Sequence, residues 1–340
     1  MLKSLRKWQV GLEDSPGVEV DASDRLLGDL TVSDASETVT PEADYGHMDA
    51  VIESPVLVLE GTELSWTTDL SFEQILYALL CGIKGGETPS EVNPGEGDYQ
   101  WDFVPVASAK PVVDSLTLEY VETDGAAVTE EWTATNMLCS EIEVSWEGGS
   151  SLAQMVSSWF ATGIVNKAAA AAVAKPARTL IPGKKVTVAF ADSFANLVGA
   201  SARSDVLSGS WKLTTGLARK DRADGTLDYA DYKADKRAAE LSLSVDLGAD
   251  FETARTRFRA GTETFIRVMV EGAQIGAGEK KTIIIDGCYV IPDWSDFGGD
   301  DDNESIIDIT YVAKYDATGG KAFSVHVIND QAVLPGALGS

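Results

Sequence analysis

Apolar and polar residues alternate along most of this chain, the period of a half-buried strand, and at one place the period lengthens to that of a helix. Leu57–Asp69 alternates, is dense in β-forming residues and carries Trp66 near its far end, which predicts one long strand. Ser71 then stands three residues before Gln74, the spacing of a capping box, and starts a helix. Phe72, Ile75, Leu76, Leu79, Leu80 and Ile83 follow as one stripe at helical spacing, the candidate core helix, stopped by Gly82 and the Gly85–Gly86 pair.

Upstream, Trp8 and Val10, then Val18 and Val20, alternate on either side of a Pro–Gly turn, and Thr31–Ala50 is a polar, acidic arm. Downstream, Gly85–Asp102 is rich in glycine, proline and acids and reads as a long loop. Strands are expected at Phe103–Val106, Ser115–Val121, Glu131–Ala134 and Met137–Trp146. In the last of these Ile142, Val144 and Trp146 alternate with Glu141, Glu143 and Ser145, giving one buried and one acidic face. Ser151–Val165 fits a helix by spacing and a returning strand by its place after Gly148–Gly149; the turn favours the strand. Asn166–Pro182, with the alanine tract 168–172, reads as a linker.

The second half opens with strands at Val186–Phe190 and Ser208–Thr215 and a charged loop at Arg219–Arg237. An echo follows. Glu240–Leu247 (ELSLSVDL) mirrors Glu63–Leu70 (ELSWTTDL), and Asp250 can cap a helix with Phe251, Ala254 and Phe258 on its stripe and Gly261 at its end. Strands at Thr264–Val270 and Lys281–Ile291 come next, then Glu304–Tyr315 in the place of Ser151–Val165. Cys288 precedes Trp294 much as Cys139 precedes Trp146. The offset between copies is 177 residues at the first strand and 149 at the cysteine, a difference close to the length of the Gly85–Lys110 loop. An ordered series of this kind predicts a duplication. The expected fold is mainly β, of the α+β class: two tandem β-sandwich or barrel modules, each with one short packed helix. Their bounds are 1–166 with its long loop 85–110, a linker 167–183, a second module 184–330 and a tail 331–340.

Charge sharpens this picture. The chain has 54 Asp and Glu against 27 Lys and Arg, a net charge of −27. Residues 1–182 hold 30 acids and 9 bases, and residues 183–340 hold 24 and 18. Such a surface repels phosphate, which disfavours sequence-reading or storage of nucleic acid. The N-terminus has basic residues without the apolar run of a signal peptide. No apolar run approaches the roughly 20 residues that cross a bilayer. Cys81, Cys139 and Cys288 are too far apart for a zinc site and lie among apolar residues, as buried free thiols do.

Candidate chemistry is sparse. His47 and His326 are the two histidines, and neither has supporting residues nearby in sequence. Gly272–Thr282 has a faint likeness to a phosphate loop, but its glycine spacing is wrong and it joins two strands, so it reads as a hairpin turn. Asp300, Asp301, Asp302 and Glu304 lack the EF-hand pattern and read as a solvated acidic loop. No catalytic group, metal or cofactor is expected.

The whole arrangement resembles the major tail tube proteins of long-tailed bacteriophages. The likeness rests on Gly11-Leu12-Glu13 with Gly17 and Val20-Asp21-Ala22, on the strand-to-helix stretch Leu57–Ile83, on the cysteine-bearing hairpin Met137–Val165 and on the closing strand Phe323–Val327. Single-unit tube proteins are shorter, so the match is to a subunit with a doubled tube fold. The resemblance implies a structural virion protein, made in the host cytoplasm, that stacks as rings into the tail tube. The rings would be trimeric and pseudo-hexameric if the fold is doubled, and hexameric otherwise. It also implies tape measure and tail terminator proteins as partners, no membrane, and DNA passing through the lumen without specific binding. Glu141, Glu143 and Glu147 become candidate lumen-facing acids. A non-catalytic β-rich surface or adhesion protein is the alternative, and an acidic carbohydrate-active β-protein a third.

Overall fold

The computed structural model describes residues 6–41, 54–123, 128–167, 173–246, 249–294, 299–301 and 304–334. Strands dominate. The first set is β1 (Arg6–Leu12), β2 (Asp24–Leu26), β3 (Asp29–Asp34), β4 (Glu37–Val39), β5 (Val56–Leu59) and β6 (Thr62–Asp69). After helix α1 (Ile75–Gly82) come β7 (Ser90–Glu91), β8 (Tyr99–Phe103), β9 (Leu116–Thr123), β10 (Val128–Glu147), β11 (Gln154–Ala161) and β12 (Val165–Lys167). The second half runs β13 (Val186–Ala191), the short α2 (Phe194–Leu197), β14 (Val206–Thr214), β15 (Leu217–Lys220), β16 (Asp231–Ala234) and β17 (Ala238–Asp246). It ends with α3 (Ala249–Ala260), β18 (Thr264–Gln274), β19 (Lys280–Val290), β20 (Gly299–Asp301), β21 (Glu304–Ala313) and β22 (Phe323–Asn329). The fold is mainly β, of the α+β class, with antiparallel sheets.

Apart from the hairpins β4–β5 and β15–β16, the strands join one continuous barrel-type sheet. Its long run is β3–β6–β11–β10–β14–β17–β21. A branch β10–β9–β1–β2 leaves from the first half of β10, and β13–β18–β19–β22–β8–β7 leaves from β21 through the end of β19. The pairings β1–β9–β10–β11–β6–β3 and β13–β18–β19–β21–β17–β14 follow the same order. Among the described residues no ladder covers the outer edge of β3, which pairs with β6 alone.

β10 can serve two sheets because it bends. Its register with β9 slips between Ala134 and Met137, and Asn136 sits at φ 53°, a left-handed conformation that asparagine tolerates better than most residues. The Glu13 carboxylate holds the bend: it accepts from Asn136 N at 2.7 Å, from Ser115 Oγ at 2.6 Å and from Thr117 Oγ1 at 3.1 Å. Tyr229 donates its hydroxyl to the Asn136 carbonyl. The main core is a cluster running through both halves, from Val10 and Trp66 to Trp211 and Val327, with smaller clusters around Leu138 and Phe265.

Helix α1 departs from its expected character. The stripe Phe72, Ile75, Leu76, Leu79, Leu80 and Ile83 is buried, but so are Tyr77, Ala78 and Cys81, so the helix has no solvent face. The reason is that later strands cover it. Asn329 donates to the Phe72 carbonyl at 2.9 Å, and a Cβ at Gly272 would lie 2.8 Å from the Phe72 ring. Ser71 Oγ accepts from Gln74 N–H at 3.3 Å, as the capping pattern suggested. The Gln74 side chain turns instead to Leu27 N and Arg25 O. Ser71→Ala is expected to cost about 1 kcal/mol, read as a lower urea midpoint.

Four further expectations need correction. Leu57–Asp69 is two strands, β5 and β6, because Gly61 interrupts them where the Arg219 guanidinium approaches and donates to Thr62 O at 2.9 Å. The expected loop Gly85–Asp102 contains β7 and most of β8, whose partner β22 is more than two hundred residues away in sequence, and the strand expected at Phe103–Val106 ends at Phe103. The expected loop Arg219–Arg237 contains most of the β15–β16 hairpin. Asp250 lies inside α3, not at its cap, and α3 keeps an exposed side where α1 has none. Within 166–182, β12 pairs with β10, and Thr179 N donates to Glu73 Oε2 at 2.9 Å. His47, Asp302, the alanine tract 168–172, residues 42–50 of the acidic arm and the last residues of the tail lie outside the described residues.

Candidate lumen face

The long run of seven strands has one buried and one open face, set by the period of two along each strand. Inward lie Trp66, Met155, Ile142, Val144, Trp211, Leu213, Leu241, Leu243 and Ile309, all buried. The other parity carries hydroxyls and carboxylates, and the ladders align these into rows. One row is Thr67–Val156–Glu143–Lys212–Glu240. The next is Asp69–Gln154–Ser145–Ser210–Ser242–Thr310, and a third is Glu147–Ser208–Ser244–Asp308.

The three candidate acids therefore share this face. Glu141 accepts an ion pair from Lys212 at 2.9 Å, Glu143 stands directly opposite Lys212, and Glu147 is exposed at the strand end. Lys212 is the one base carried by these seven strands on this face among the described residues, and Arg219 reaches its edge beside Thr31, Ser33 and Glu63. The hydrogen bond that Lys212 donates to Glu141 holds its pKa above the ordinary lysine value. Across β10, β14, β17 and β21 the face is a shallow trough of about 820 Å³ lined by Asp69, Glu147, Asp308, Ser145, Ser208, Ser210, Ser242 and Ser244. The serines of β14 and β17 were not singled out from sequence, although their alternation in SGSWKLT and ELSLSVD carries the signal. What was missing was the neighbour relation, since β10 and β14 are joined by more than fifty residues of other structure.

Titratable side chains also meet on the opposite wing. His326 Nδ1 lies 2.6 Å from Asp102 Oδ1, and His326 Nε2 lies 3.1 Å from Ser324 Oγ. The order matches a Ser–His–Asp relay. Ser324, however, is fully buried, and its Oγ also accepts from Lys321 Nζ at 2.8 Å, so no carbonyl can approach it in this conformation. The group ties β22 to β8. The hydrogen bond from His326, with a smaller one from Gln100, holds the Asp102 carboxyl below its ordinary pKa. A depressed carboxyl contributes stability above its unfolded pKa of about 3.9 and loses it as pH falls through the folded value. Asp102→Asn should therefore lower the urea midpoint at pH 6, and the gap to wild type should close below about pH 4.

No protein-family model and no curated protein matches the chain. Its chemistry must be read from the residues alone. Cys81, Cys139 and Cys288 are free and buried, and burial pushes the Cys81 and Cys139 thiols up. The Gly272–Thr282 segment is the β18–β19 hairpin, and its Ala277 and Glu279 N–H groups donate to Glu96 and Asp98 at 2.8 Å each. Asp300 and Asp301 stand opposite Ser305 and Glu304 in the β20–β21 hairpin. Among the described residues no group of three or more His, Cys, Asp or Glu could hold a metal. No helix among them is long and apolar enough to cross a membrane.

Proposed function

We propose that this chain is a structural subunit of a phage-type tail tube: copies join side by side into rings, and rings stack into a hollow cylinder that DNA traverses. The observation that carries this reading is the seven-stranded face of aligned serines, threonines and carboxylates, on whose strands Lys212 is the one base among the described residues, with Arg219 at the edge. A wall whose carboxylates outnumber its bases, and whose lysine is already paired with Glu141, offers little counter-charge to phosphate, so a polyanion slides along it. The shared pairing order of the two strand sets supports a duplicated module, and the β10–β14 ladder is one of the two that join them among the described residues, β8–β22 being the other. Three copies would then supply the six modules of a ring. The uncovered edge of β3 is where a neighbouring copy continues the sheet, and closure of the ring removes that edge. Tape measure and tail terminator proteins are the further partners this reading implies, and the virion is its location.

Negative-stain electron microscopy of concentrated protein tests it. Rings or tubes with a central bore are expected. Particles that stay monomeric at every concentration would overturn the proposal.

A further inference from the structure

The open wall concentrates acids; the opposite chemistry gathers in one cleft of about 750 Å³ at the other end of the strands. It lies where residues 105–111, the turn between β16 and β17, and the connection from β21 to β22 meet. Lys110, Lys236, Arg237 and Lys321 line it, against Asp235 as the one lining carboxylate. In a chain of net charge −27 such a balance is unusual.

Two of the bases are partnered within the chain, and Arg237 only in part. Lys110 donates to Asp231 at 3.0 Å and Lys321 to Ser324 at 2.8 Å. Arg237 donates through Nη2 to the Val106 carbonyl, while its Nη1 is buried with no partner. Burial holds both Arg237 and Lys321 below their ordinary pKa values. A buried guanidinium nitrogen with no acceptor is costly, and a carboxylate in the cleft removes that cost once the Arg237 side chain turns its Nη1 outward.

We propose that this cleft receives carboxylates from a second copy of the chain and so forms the end-to-end contact between successive rings. The proposal rests on the tube reading. A second copy fits because the strands that begin at the cleft end of the sheet finish among acids. β17 starts at Ala238, beside Arg237, and ends at Asp246. β10 and β6, which run in the same direction two and four strands away, end at Glu147, exposed beside Lys184, and at Asp69, which pairs with Arg178 at 3.6 Å. Stacked in one direction, each copy presents these strand-end carboxylates, Glu147 foremost, to the next copy's cleft.

The test is the double variant Lys236→Glu with Arg237→Glu, followed by sedimentation velocity and negative-stain microscopy beside wild type. Rings are expected to persist while stacked tubes fall about ten-fold or more, because like charges then face each other. Lys110→Glu with Lys236→Glu, both at exposed positions, should act alike and guards against misfolding of the first variant. Adding Glu147→Lys with Asp69→Lys to the first variant should restore stacking. Tubes that persist in both cleft variants would overturn the inference. So would loss of duplex DNA binding with stacking unchanged, which would make nucleic acid the ligand. Failure of the tube reading looks different: wild type itself then forms no rings.

Discussion

Val32→Pro is expected to abolish ring formation while leaving the folded subunit intact. Ala35 N donates to Gly61 O at 2.8 Å, which fixes the parity of the β3–β6 ladder. Residues 29, 31 and 33 therefore point their backbone groups toward β6, and Leu30, Val32 and Asp34 point theirs to the uncovered side. The same alternation is seen at the junction within the chain. Thr215 N donates to Ser140 O at 3.0 Å, so Gly209, Trp211 and Leu213 of β14 face β10. Those residues occupy the places of Leu30, Val32 and Asp34 when β3 and β14 are matched through their partners β6 and β17. Proline removes an N–H that the isolated subunit does not use, and edge strands tolerate it there. Every junction of a ring would lose that donor and meet the ring of the proline. Thr31→Pro is the contrast, since its N–H faces β6 and its loss should destabilise the fold itself. Rings that survive Val32→Pro in sedimentation and electron microscopy would contradict the edge assignment.

Trp211→Ala is expected to lower stability by about 3–5 kcal/mol, the largest single-residue effect in the core. Trp211 is fully buried on β14, opposite Val144 of β10 and Leu241 of β17. Its ring meets Phe323 edge-on at 5.9 Å between centroids. Truncation opens a cavity under one of the two ladders that join the halves. Close packing there leaves little slack: a Cβ at the adjacent Gly209 would already lie 2.6 Å from the Trp146 ring. The loss should show as a lower urea midpoint with an unchanged slope. A cost below about 1 kcal/mol would mean that the two halves are packed independently.

Much of the local architecture was legible in the sequence. Strand patterns located β9, β10, β13, β14, β17, β18 and β19, the Gly148–Gly149 turn located β11, the place of Glu304–Tyr315 in the echo located β21, and the Ser71–Gln74 spacing located the start of α1. What failed were features decided by distant partners. Gly61 breaks a continuous β pattern because Arg219, far along the chain, needs the space beside it. Tyr99–Phe103 becomes a strand because β22 supplies an edge, although its flanks are glycine-rich. The apolar stripe of α1 was visible, but the burial of Tyr77, Ala78 and Cys81 depends on strands that arrive much later. The candidate face shows the same division. Glu141 and Glu143 were readable from one strand, whereas the rows that continue them through Lys212, Ser210 and Ser242 exist only once strands distant in sequence are laid side by side.

The edge of β3 offers the most direct measurement. Amide hydrogen exchange, followed by mass spectrometry over a concentration series, reads whether its backbone groups become bonded when copies meet. The account predicts that a peptide covering Asp29–Asp34 slows in step with the appearance of rings, while peptides from β6, already paired on both sides, do not change. Ring-containing samples in which that peptide still exchanges as fast as in dispersed protein would contradict it.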